Sequence, residues 1–199
     1  LYELFVGPPE LDSEWDDKGI DGVYRFLNRF WKMAMDNKDK QVAETTELVK
    51  LRHKLVYDIT TRLDTFSLNT VVSGFMEYNN KLIELSKKGG VDVATLETYT
   101  ILLAPFAPHI AEELWEQFGH TDSVFDQSWP EYSEDAMKDD EIEIPVQVNG
   151  KTRCTISIPV DADKDAVLAK AKETLGNKLT GTIRKEIYVP GRIVNIVAK

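Results

Sequence analysis

The residue types that do covalent or acid–base chemistry are few and scattered in this chain. Cys154 is its single cysteine, and His53, His109 and His120 lie far apart. No C-x-x-C, H-E-x-x-H, G-x-x-x-x-G-K-[ST] or G-x-G-x-x-G pattern occurs, so neither zinc ligation nor a phosphate-cradling glycine loop is expected. Cys154 falls on the apolar side of an alternating run and reads as buried filler. His109 reads as a packed residue in the first turn of a helix that opens at Pro108. Glu112 and Glu113 read as carboxylates of that same turn, where the helix dipole favours them. We assign no catalytic residue and no metal site.

Cations near turns are more informative. Lys151 and Arg153 follow the pair Asn149-Gly150, Arg184 and Lys185 open a later strand, and Arg192 follows Pro190-Gly191. Such groups hold phosphate oxygens through charge-assisted hydrogen bonds and the release of counterions. Asn149 adds a polar group, although its place in the turn also explains it. A second, weaker set, Arg25, Asn28, Arg29 and Lys32, forms a polar strip along one helix. Both sets have a plainer reading. Lys and Arg on a sheet edge block edge-to-edge pairing, and the outer face of a helix is commonly charged. Residue types alone leave both readings open. Of the four tryptophans, Trp31 and Trp115 fit apolar stripes, while Trp15 and Trp129 lie in irregular segments that they would pin down.

Charge is unevenly spread over the 199 residues. Residues 1–140 hold 14 Lys and Arg against 27 Asp and Glu, whereas residues 141–199 hold 10 against 7. The overall balance of −10 argues against a strong nucleic-acid field, and the small basic excess of the second part supports local phosphate contacts. An apolar fraction of 42% suffices for a core. No apolar run approaches the roughly 20 residues of a membrane span. The absence of a basic segment followed by an apolar one argues against a signal peptide. One cysteine fits a reducing, cytoplasmic setting, and an opening Leu1 suggests that the chain begins inside a longer one.

The elements that must position these residues follow from periodicity. Residues 1–20 read as an irregular connecting segment. Residues 21–119 read as five helices: one from Asp21 with Val23, Phe26, Leu27, Phe30 and Trp31 inward, then 42–63, 68–85, 93–103, and one from Pro108 closed by Gly119. Gly89-Gly90 suits a left-handed helix cap, and Pro108 suits a helix start. Short connections predict an antiparallel bundle. Residues 120–140 read as an acidic, wrapped linker. From Glu141 the pattern becomes two-residue alternation: strands around Asn149-Gly150, a helix capped by Asp161 or Asp163, a strand from Ile183, and a last strand ending at Ile196 or Val197. The expected fold is therefore multidomain and mainly α, with a helical bundle followed by a small α+β domain of order ββαββ at 141–199.

The segments LLAPFAPHIAEELW (102–115) and GVYRFLNRFWKM (22–33) resemble the anticodon-binding helical bundle shared by leucyl, isoleucyl, valyl and methionyl class I aminoacyl-tRNA synthetases. FVGPPELDSEW resembles the segment joining that bundle to a catalytic body. IPVQVNGKTR (144–153) and TIRKEIYVPGRIVNIV (182–197) resemble the small terminal domain of bacterial leucyl-tRNA synthetases. The resemblance implies a C-terminal fragment that binds leucine tRNA. The bundle would lie along the stem, and the terminal domain would reach the corner where the D and TΨC loops meet. It implies a monomeric, cytoplasmic ligase whose ATP and Mg are used upstream. The HIGH and KMSKS signatures and the threonine-rich editing region of that family are absent, so activation, transfer and editing fall on no residue here. Isoleucyl and valyl enzymes are expected to end in a zinc-binding or coiled-coil tail, which a single cysteine and the lack of heptads do not fit. An acidic helical scaffold for protein partners is the alternative from another class.

Overall fold

The computed structural model describes residues 1–12, 14–138, 141–160, 162–176 and 181–198. It is helix-rich with a four-stranded mixed sheet, and it divides into two compact units, Leu1–Met137 and Lys138–Lys199.

The first unit is helical. A short α1 (Tyr2–Phe5) precedes α2 (Asp17–Asn37), so the first twenty residues are less irregular than their two prolines suggest. Helix α2 starts four residues earlier than expected because Asp16 caps it, accepting the Lys18 amide at 3.0 Å. The Tyr2 hydroxyl donates to the Asp16 carbonyl at 2.7 Å, and its ring fills the space beside Gly19, where a Cβ would approach within 2.5 Å. Helix α3 (Thr46–Asp64) starts later than its apolar pattern suggests, since Thr45 takes the capping role. Helix α4 (Leu68–Lys88) runs to Gly89, and of the two glycines only Gly90, at φ +97°, is left-handed. Helices α5 (Val93–Leu103) and α6 (Pro108–Gln117) sit where the sequence places them. Asp92 caps α5 by accepting the Thr95 amide and hydroxyl, and it pairs with Arg52 of α3 at 3.4 Å.

The core of this unit is aromatic. Phe30 stacks on Tyr99 with centroids 4.1 Å apart, Phe75 packs against both Tyr99 and Phe106, and the Tyr99 hydroxyl donates to the Phe75 carbonyl at 2.6 Å. Burial pushes the Tyr99 phenol well above its ordinary pKa, so it remains a donor. Asn37, fully buried, donates to the Met33 carbonyl and the Ser86 hydroxyl and accepts the Val91 amide, which ties the end of α2 to the turn after α4.

Residues 120–137, expected as a linker, are bound onto the helices. Glu112 accepts the Ser123 hydroxyl and the Val124 amide, and Val124 is buried with Ala104, Ala111 and Trp115. Farther on, the Trp129 indole donates to the Thr60 hydroxyl at 2.9 Å, Tyr132 meets Tyr57 edge-on, and the Ser133 amide donates to His53 Nδ1. A last turn, α7 (Glu134–Met137), ends the unit. Trp15, by contrast, stays largely exposed and touches Tyr2 edge-on.

The second unit follows the order β1 (Glu141–Val148), β2 (Lys151–Pro159), α8 (Lys164–Leu175), β3 (Ile183–Val189) and β4 (Ile193–Ala198). The sheet order is β2-β1-β4-β3, with the central pair β1–β4 parallel and both outer pairs antiparallel. Asn149 and Gly150, at φ +50° and +78°, make the two-residue turn, as their identity demands. Ile144, Val146, Ile156, Ile158, Val194 and Ile196 bury one face against Val167, Leu168, Ala171 and Leu175 of α8. Asp163 caps α8, accepting the amides of Asp165 and Ala166, while Asp161 lies outside the described residues.

Candidate nucleic-acid interface

The cations of the second unit are placed by strand register. In β2 the pairing steps from Cys154 opposite Val146 to Thr152 opposite Gln147, which leaves Arg153 without a partner. In β3 it steps from Ile183 opposite Ala198 to Lys185 opposite Val197, which leaves Arg184 without one. Each arginine is therefore the extra residue of a β-bulge, a feature that kinks an edge strand and re-aims a side chain. Arg153, Arg184, Lys151 and Lys185 are all exposed. Because β1 and β4 run parallel, the turn after β1 and the start of β3 fall at one end of the sheet. The two bulges sit on opposite edges, separated by about 14 Å across the sheet at about 4.8 Å per strand and by about 10 Å along it at about 3.3 Å per residue.

Between them lies the face turned away from α8. Lys185 opposite Val197 and Val189 opposite Ile193 belong to it, along with Ile187; Val189 is exposed and Ile187, Ile193 and Val197 are only partly buried. The opposite face holds Glu186, paired with Lys172 of α8 at 3.0 Å.

Two expected members stand apart. Arg192 follows the β3–β4 turn at the other end of the sheet, where a Cβ on Gly191 would lie 3.6 Å from Ile142 at the start of β1. Along the strands it is removed from Lys151, Lys185 and Arg184 by roughly 13–18 Å, and from Arg153 by only about 8 Å. Asn149 is engaged with the protein itself: its amide donates to the Ala198 carbonyl at 2.8 Å, and its Oδ1 accepts the Ala198 amide at 3.1 Å. Asn195 Oδ1 in turn accepts the Gly150 amide at 3.2 Å. These bonds extend the β1–β4 pairing past the last strand residue, so the structure uses Asn149 as a clamp.

In the first unit the strip on α2 opens onto clefts shared with α4. One cleft of about 440 Å³ is lined by Arg25, Phe26, Arg29, Met76, Asn79 and Asn80. A second, of about 340 Å³, shares Arg29 and adds Lys32, Asp36, Ser86 and Lys87. Asn28 lines neither, and its amide donates back to the Tyr24 carbonyl at 2.8 Å. Sequence reasoning misses the α4 side of these clefts, although a signal exists. Asn79 sits four residues after Phe75 and three before Leu82, on the apolar stripe itself.

Among the described residues no group of three or more His, Cys, Asp or Glu is placed to hold a metal ion. Cys154 is partly buried against the sheet core. His109 is exposed rather than packed, and Glu112 and Glu113 lie beyond the first turn of α6. His120 stacks on Trp115 at 3.8 Å and meets Glu97 at 2.7 Å. Burial, aided by the neighbouring Arg52, lowers the His53 pKa, in keeping with Nδ1 as an acceptor. The Tyr78 phenol is raised by burial and by its bond to Asp58. No described helix is long and apolar enough to cross a membrane.

A helical unit with a cation-lined groove, followed by a small sheet with cations on its edges, has a match among known families. The family model described as the anticodon-binding domain of tRNA ligase matches residues 46–168, and the chain belongs to that family. Among its relatives are leucine–tRNA ligases. That of Herpetosiphon aurantiacus is 40% identical over 207 residues, covering 100% of this chain and 25% of the relative. That of a Cyanothece species is 42% identical over 211 residues, with 99% and 25% covered. A crystal structure of the ternary complex of Agrobacterium radiobacter K84 agnB2 LeuRS with tRNA and LeuAMS matches with a TM-score of 0.72 and 27% identity, covering 100% of this chain and 28% of that one. The chain thus spans about a quarter of the length of the curated relatives it matches.

Proposed function

We propose that this chain is the tRNA-holding, C-terminal region of a bacterial leucine–tRNA ligase. The observation that carries the reading is identity near 40% to leucine–tRNA ligases along the whole chain. Both the Herpetosiphon and the Cyanothece relative are leucine–tRNA ligases, which favours this reading over an isoleucyl or valyl one and over an acidic scaffold. In this reading residues 21–119 act as an antiparallel bundle of the class I anticodon-binding type along the tRNA stem, and residues 141–199 grip the outer corner of leucine tRNA. Activation with ATP and Mg, and editing, belong to domains outside these residues, in a monomeric cytoplasmic enzyme. No residue here is assigned to catalysis, metal or cofactor.

The physical work is positioning. Contacts remote from the acceptor end hold the RNA so that its terminus meets a distant active site, which turns an encounter into an oriented reaction. Lys151, Arg153, Arg184 and Lys185 are suited to it: they are exposed, Lys151, Arg184 and Lys185 lie toward one end of the sheet with Arg153 farther in, and the two arginines are bulge residues. The partly apolar face between them offers a surface for bases exposed at a folded RNA corner. Deleting residues 141–199 from the full-length enzyme tests the proposal. A loss of leucylation with leucine activation intact supports it, and an undiminished charging rate refutes it.

A further inference from the structure

We infer that the cleft between α2 and α4 is a nucleotide pocket: it takes one nucleotide of the bound RNA, with its phosphate at Arg25 and Arg29 and a polar edge of its base or ribose at the Asn79 amide. The inference rests on the proposed tRNA-holding role and adds a site to it. The family match begins at residue 46, within α3, and so does not reach α2.

Asn79 is the central observation. It is 1% exposed, it lines the cleft, and its Oδ1 has no hydrogen-bond partner among the described residues. A buried amide oxygen left unpaired loses its hydration without compensation, and such groups are rare in folded proteins. Asn37, the other buried asparagine among the described residues, has both ends of its amide bonded. Asn79 also stands on the apolar stripe of α4, where a leucine would pack at lower cost. An amide carries both a donor and an acceptor, which suits the edge of a base or the hydroxyls of ribose.

The rest of the cleft fits the same ligand. Phe26 and Met76 supply apolar walls, and Gly22 leaves the floor open, since a Cβ there would meet nothing within 4 Å. Arg25 spends only Nε on the protein, donating to the Asp21 carbonyl at 3.2 Å, which leaves its terminal nitrogens available. Arg29, Lys32 and Lys87 carry no ion pair among the described residues. Arg25, Arg29 and Lys32 step along α2 by about 6 Å and about 4.5 Å, at about 1.5 Å per residue. They form a row along which a strand backbone passes from the first cleft into the second. Asp36 is the one carboxylate lining the second cleft, and it sits at the far end of that row.

The test uses the 199-residue chain and a leucine tRNA transcript, with binding measured by fluorescence anisotropy across a salt series. Asn79→Leu removes the amide and leaves the charge unchanged. It should weaken binding about fivefold, the worth of one hydrogen bond, leave the salt slope unchanged, and hold or raise the Tm. Arg25→Ala should lower the salt slope by just under one, as a lost phosphate contact does. Gly22→Leu keeps every polar group, favours the helix and fills the floor, so it should weaken binding with Tm held or raised. Wild-type affinity in both Asn79→Leu and Gly22→Leu would overturn the pocket while leaving the tRNA-holding role intact. Failure of the wild-type chain to bind the transcript even at low salt would overturn both.

Discussion

The two units solve the placement of polar groups in different ways. In the helical unit, side chains that look free in sequence are tied down by partners far along the chain: Asn37 holds residue 91, Glu112 holds residue 124, and Trp129 reaches Thr60. In the sheet unit the candidate cations make no such ties among the described residues. Their direction comes from the backbone, through two bulges that leave Arg153 and Arg184 unpaired on opposite edges. A surface built by backbone register tolerates a change of side chain, whereas one built on side-chain ties does not. Function and stability should therefore separate cleanly in the second unit and poorly in the first.

The strongest way to break that contrast is in the aromatic core. Phe30→Ala removes a fully buried ring stacked on Tyr99 and should cost about 3–5 kcal/mol. All four tryptophans lie in the first unit, so denaturant melting followed by tryptophan fluorescence reads that loss. Amide exchange in β1 and β4 should stay unchanged if the units are energetically separate. Asn149→Ala comes next. It deletes both bonds to Ala198 and places alanine at φ +50°, and should destabilise the second unit by about 2 kcal/mol. Exchange protection of the Ala198 amide is the measurement, and unaltered protection would return Asn149 to the RNA-facing residues.

Arg184→Ala with Lys185→Ala sharpens the comparison from the other side. Stability should move by no more than about 0.5 kcal/mol, while the salt slope of tRNA binding falls by nearly two. Arg192→Ala, at the far end of the sheet, should change that slope by less than the Arg184→Ala variant does. The smallest effect concerns pH. The folded-state pKa of His53 is depressed, so the neutral ring stabilises the fold at and above its unfolded pKa of about 6.5, and that contribution is lost as pH falls below it. Protonating Nδ1 removes the acceptor for the Ser133 amide. The protection factor of that amide should fall as pH drops below about 6.5 in the wild type and stay flat in His53→Ala.

Short-range signals are legible in the sequence. The bounds of α5, the proline opening α6, the Asn149-Gly150 turn and the Asp163 cap depend on residues within a few positions of each other. The starts of α2 and α3 are misplaced because the caps Asp16 and Thr45, and not the first apolar residue of each stripe, set them; the Tyr2 hydroxyl bond to the Asp16 carbonyl, from fourteen residues away, is not visible in the local pattern. In the candidate site, the cations of β2 and β3 are recognisable by type. Arg192 groups with them in sequence because proximity to a turn says nothing about which end of the sheet the turn occupies. Asn79 escapes notice because a polar residue on an apolar stripe gains meaning only once its amide is seen to lack a partner.

Amino-acid order thus dictates which segments are helix or strand, where they turn, and which side chains can hold phosphate, because each of these rests on local backbone preference and on the period of apolar residues. Folding in three dimensions sets strand register, and with it the two bulged arginines, the clamp made by Asn149 and the crevice around Asn79. Those features arise where segments distant in the chain meet, and their energies come from pairing and packing that no single segment contains.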